Sequence, residues 1–73
     1  MLGSPKFTYG DVVLFSLIID GQKQEEIGTI NIIDAFGTFF NPNEVSYDIM
    51  VNKGDGYNVL YKHIPEKALS TDF

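Results

Sequence analysis

Seventy-three residues with ten acidic side chains, five lysines, no arginine and no cysteine carry a formal net charge of −5. That length holds one small core and excludes a second domain; the missing thiols exclude disulfides and thiolate metal centres; the negative field opposes phosphate backbones and disfavours nucleic acid as a partner. Hydrophobic residues at 44% against 21% charged give the composition of a chain that folds. Met1 to Lys6 lacks a basic region followed by an apolar stretch, and Val12 to Ile19 is too short to cross a bilayer as a helix, so the expectation is a cytoplasmic protein with no membrane partner.

Residues 1–6 read as a flexible lead-in, 7–70 as a single domain and 71–73 as a frayed end. Phe7 and Tyr9 stand before Gly10-Asp11, where glycine takes positive φ and aspartate bonds its own backbone, so the chain turns there and the two rings are expected to close one end of the core. Val12 to Ile19 is rich in β-branched and aromatic residues and apolar at every position but Ser16, which predicts a strand. Alternation puts Val13, Phe15, Leu17 and Ile19 on one face and Val12, Leu14, Ser16 and Ile18 on the other. The second face is too apolar to meet open water. It is covered either by the chain itself or by another molecule, which makes Val12, Leu14 and Ile18 a candidate self-association face.

Asp20-Gly21 breaks the run, and Gln22 to Glu26 reads as the hairpin connection or its exposed flanks. Ile27 to Ile33 is the predicted second strand, with Gly28 where a strand bends or another crosses closely. After the turn Asp34 to Gly37 comes Thr38 to Glu44, a loop by its Asn-Pro-Asn cluster, with Phe39 and Phe40 at its entrance facing opposite ways. Val45 to Val51 alternates cleanly as a half-buried strand, Asn52 to Gly56 is a turn, and Tyr57 to Lys62 pairs back as the second arm of a hairpin. Pro65 and Glu66 suit one short 3₁₀ or α turn, after which Ala68 or Leu69 opens a short closing strand.

Gly10-Asp11 before alternating apolar residues, a strand beginning Gly28-Thr29-Ile30, a central hairpin and a proline-containing turn before a short last strand resemble the SH3-like barrel of SH3, Tudor and KOW-type domains. The resemblance covers residues 7–70 and implies an all-β, five-stranded small barrel. Tyr47 to Val51 with Leu60 to Glu66 is also similar to small proteins of Gram-positive bacteria and their mobile elements, a similarity that brings no activity with it. Proline-binding SH3 domains use a tryptophan, which is missing here, and RNA-binding KOW domains are basic, which this chain is not. The Tudor resemblance implies an aromatic cage for a methylated cation. The candidate binding surface is accordingly Phe39, Phe40, Tyr47, Tyr57 and Tyr61, with Asp48 or Asp55 as counter-charge; the bland alternative is that these rings pack the core.

Chemistry finds little purchase. His63, the only histidine, has no serine or cysteine placed beside it by a motif and reads as a surface or strand-end residue. Glu25, Glu26 and Asp48 form an acid pair only if the fold joins them. Asn52 to Gly56 lacks the spaced oxygen ligands and distal glutamate of a calcium loop, and Gly54-Asp55-Gly56 has Val59 where a dinucleotide fingerprint has its third glycine. The sequence therefore predicts no catalytic, metal or cofactor residues, no small-molecule substrate, and a non-enzymatic module that binds a protein partner or forms a homo-oligomer. The alternative is a nucleic-acid-associated protein that stacks single strands on Tyr47, Tyr57 and Phe40 or acts as an acidic decoy for a DNA-binding protein.

Overall fold

Two Asp-Gly steps set the hairpins. Asp20 and Gly21 have φ of 51° and 78°, and Asp55 and Gly56 have 52° and 73°, the paired positive angles that a two-residue type I′ turn requires. The computed structural model describes residues 4–37 and 42–73. Among these residues five strands form: β1 Val12–Ile19, β2 Gln22–Asp34, β3 Ser46–Gly54, β4 Tyr57–Pro65 and β5 Leu69–Ser70, with a 3₁₀ turn over Glu66–Ala68 between the last two. They make one antiparallel sheet in the order β4-β3-β2-β1-β5. The expected all-β architecture and the single turn before the last strand are present. Among the described residues no helix is long and apolar enough to cross a membrane.

The second strand differs from its expected bounds. It starts at Gln22 rather than Ile27, because the Asp20-Gly21 turn is complete in two residues and pairing resumes at once, Ile19 opposite Gln22. Polar residues suit this stretch, since most of its side chains are exposed. β2 also changes partner along its length: Gln22 to Thr29 pair with β1, and Thr29 to Asp34 pair with β3. Gly28 sits beside that change. A Cβ there would stand 2.6 Å from both Ile49 Cγ2 and the Met50 carbonyl oxygen, so only glycine lets β3 cross so closely.

The core comprises Val13 and Phe15 from β1, Ile30 from β2, Val45, Tyr47, Ile49 and Val51 in and just before β3, and Ile64 from β4. Burying each such side chain contributes about 1.5–3 kcal/mol relative to leaving it in water. Leu17, Phe7, Tyr61 and Leu69 pack partly buried around them. Phe7 packs against the core, its ring edge-on to Tyr47 at 5.7 Å between centroids. Tyr9 does not join it. The Thr8 to Asp11 turn, held by Thr8 N–H donating to Asp11 Oδ2 at 2.9 Å, leaves the Tyr9 ring exposed.

Candidate functional site

The outward face of the β1–β2 hairpin follows from its register. Val12 lies opposite Thr29, Leu14 opposite Ile27, Ser16 opposite Glu25 and Ile18 opposite Lys23. Directly opposed residues share a face, so one side of the hairpin presents Val12, Leu14, Ile18 and Ile27 together. Val12 and Ile27 are each 50% exposed and Ile18 is 72% exposed, while Leu14 is half-buried beside Ser70 of β5. The sequence pattern named three of these four. It missed Ile27, which the register alone supplies.

The same hairpin has an open edge. β5 pairs with β1 only at Leu14 and Phe15, so among the described residues no strand lies along the outer edge of Ser16 to Ile19. Backbone donors and acceptors there face outward, a template for another strand.

The aromatic candidates do not assemble into a cage. Phe39 and Phe40 lie outside the described residues. Tyr47 is fully buried, so it is a core residue rather than a surface ring. Its hydroxyl donates to Glu66 Oε2 at 2.6 Å and accepts from the Phe7 N–H at 3.4 Å, while Lys6 N–H donates to the same Glu66 oxygen at 3.0 Å. Tyr47 therefore fastens the N-terminal segment and the 3₁₀ turn to β3. Burial, helped by the hydrogen bond to Glu66, pushes its phenol up to about 12. Tyr61 packs edge-on to Phe15, with centroids 5.5 Å apart, and has the chain's own cation over its ring: Lys53 Nζ stands 5.6 Å from the centroid and 2.6 Å from Glu26 Oε1. The Glu26 hydrogen bond, with a smaller part from neighbouring Tyr61, raises the Lys53 ammonium above its ordinary value. Tyr57 is exposed at the far turn. Asp48 is also not at the surface, being 5% exposed; β3 has strands on both sides there, and Asp48 Oδ1 accepts the His63 N–H at 3.0 Å.

That bond marks a group the sequence did not join. Asp34 at the end of β2, Asp48 in β3 and His63 in β4 each bring one potential ligand atom within 4.8 Å of the others. Two irregularities make the meeting possible. Asn31 is skipped in the β2–β3 ladder between Ile30 and Ile32, and β4 bulges where Asp48 faces Lys62 and His63, with His63 at a φ of 60°. An uninterrupted ladder from the Asp55-Gly56 turn would also set His63 level with Asp48, but the β3–β4 ladder shifts between Asn52 and Gly54 and back between Tyr47 and Ile49, so the sequence carried no dependable signal. Glu25 and Glu26 are not part of this group.

Comparison with known proteins returns no matching family model, no similar curated protein and no similar solved structure.

Proposed function

We propose that the chain is a small SH3-like barrel acting as a non-enzymatic interaction module whose partner is a second copy of itself, joined through the β1–β2 hairpin. The strand order, the change of partner in β2 at Thr29, the close crossing at Gly28 and the 3₁₀ turn before β5 support the barrel reading. The observation that carries the function is the coincidence, on one hairpin, of an open strand edge at Ser16 to Ile19 with the exposed apolar side chains of Val12, Ile18 and Ile27. An open edge is complementary to itself in antiparallel pairing, so two copies related by a two-fold axis satisfy each other's backbone groups. An axis passing near Ile18 sets the two Ile18 side chains opposite one another and withdraws the most exposed of them from water.

The absence of cysteine makes this testable with one substitution. In Ile18→Cys, opposed residues fall within the separation a disulfide spans, so mild oxidation gives a covalent dimer in high yield. Tyr57→Cys, at a comparably exposed position on the other hairpin, is the control. Light scattering on a size-exclusion column, at two protein and two salt concentrations, is expected to show twice the chain mass at high concentration, and Ile18→Lys is expected to give a folded monomer. Unmodified protein that stays monomeric throughout, with Ile18→Cys cross-linking no faster than Tyr57→Cys, overturns the proposal.

A further inference from the structure

We infer that Asp34, Asp48 and His63 form a binding site for a divalent first-row transition ion such as Zn²⁺. Each residue comes from a different strand, and one ligand atom of each lies within 4.8 Å of the other two. Zinc holds nitrogen and oxygen ligands at about 2.0–2.2 Å, which sets neighbouring ligand atoms about 3–4 Å apart, so the three side chains close on an ion by small rotamer changes. The backbone bond from His63 to Asp48 Oδ1 fixes that carboxylate in orientation.

A separate observation points to something held here. Ser46 is fully buried, and among the described residues its hydroxyl has no hydrogen-bond partner. Ser46 lies directly across from Asp34 in the β2–β3 ladder and two residues before Asp48 on the same strand, so its side chain projects to the same face as both carboxylates. A buried hydroxyl without a partner is costly to a fold. An ion at the three ligands carries water in its remaining positions, and such a water, or a ligating carboxylate, gives the Ser46 hydroxyl its missing bond.

The donor set decides the class of ion. Two carboxylates and one imidazole suit zinc and its neighbours, whereas magnesium and calcium prefer oxygen alone, and the lack of thiol or thioether ligands at the site disfavours copper(I). Three protein ligands leave at least one coordination position open to water or to a partner's side chain.

The test uses the full chain without an affinity tag, stripped with chelator and desalted. Titration with Zn²⁺ alone, followed by calorimetry, is expected to show saturable binding at one ion per chain and a raised unfolding midpoint. Co²⁺ is expected to give a visible d–d spectrum that Zn²⁺ abolishes. His63→Asn, which retains a residue tolerant of positive φ, and Asp34→Asn, which changes a half-buried position, are each expected to weaken binding by at least about tenfold. If one of them fails to fold, the other carries the comparison. Ser46→Ala is expected to raise the midpoint of the ion-free protein while lowering the shift that Zn²⁺ produces. No saturable binding, or binding of equal strength in a folded His63→Asn or Asp34→Asn variant, overturns the inference.

Discussion

The hairpin of β1 and β2 and the strand β3 behave in opposite ways. The longest apolar run in the chain, Val12 to Ile19, leaves Ile18 72% exposed, while β3 buries Ser46 completely and Asp48 to 5%. Apolarity does not account for this. From Ser46 to Met50, β3 has β2 on one side and β4 on the other, whereas Ser16 to Ile19 have β2 on one side and, among the described residues, no strand on the other. Flanking strands alone do not decide it either, since Thr29 pairs with both β1 and β3 and stays exposed; what covers the face does. Polar residues in β3 need partners inside the protein; apolar residues on the hairpin need a partner outside it.

Removing side chains from the two regions should separate them sharply. Ile49→Ala hollows the fully buried centre of β3 and is expected to cost about 2–5 kcal/mol in chemical denaturation. Gly28→Ala drives a methyl against the Met50 carbonyl oxygen, a backbone atom that moves only with the strand, and is expected to cost about 1–3 kcal/mol. Ile18→Lys should alter monomer stability by no more than about 0.5 kcal/mol, because its side chain loses little contact within one chain. A large loss at Ile18, or a negligible one at Ile49, would break the comparison.

Tyr47 sharpens it through pH. Its phenol rises from the ordinary 10.0 to about 12 in the folded protein, so folding holds the proton more tightly than the unfolded chain does. That contribution is whole below pH 10 and is lost as pH climbs toward 12, amounting to about 2–3 kcal/mol over the window. Lys53 shifts in the same direction through Glu26, and its contribution is likewise present below its ordinary value and lost above it. Tyr47→Phe is expected to lower stability at neutral pH by about 1–3 kcal/mol through the lost bond to Glu66, and to flatten the alkaline fall without abolishing it. An unchanged alkaline profile in Tyr47→Phe would remove Tyr47 from this role.

The β3–β4 hairpin was legible because alternation and an Asp-Gly turn act locally and agree. The inner face of β1 was legible for the same reason as far as Leu17; Ile19, at the hairpin tip, is 38% exposed. The first half of β2 was not, since Gln22 to Glu26 has no strand preference of its own and is extended only because a two-residue turn sets it against β1. Alternation assigned Ser46 and Asp48 to water. They are buried all the same, a tertiary fact that no local pattern carries. Tyr47 and Tyr61 entered as cage rings through the Tudor resemblance, although alternation sets Tyr47 beside Ile49 and Val51; among the described residues the cation over Tyr61 is Lys53 of this chain. The approach of Asp34, Asp48 and His63 depends on two bulges, and a bulge of one residue leaves no reliable trace in hydrophobic periodicity.

Residue-resolved amide hydrogen exchange at a dilute and a concentrated protein sample tests the account most directly. The amides of Ser46 to Met50 should exchange slowly at both concentrations, and those on the open edge of Ser16 to Ile19 should exchange fast when dilute and become protected when concentrated. Edge amides that exchange equally fast at both concentrations, or that are already as protected as β3 in the dilute sample, would contradict it.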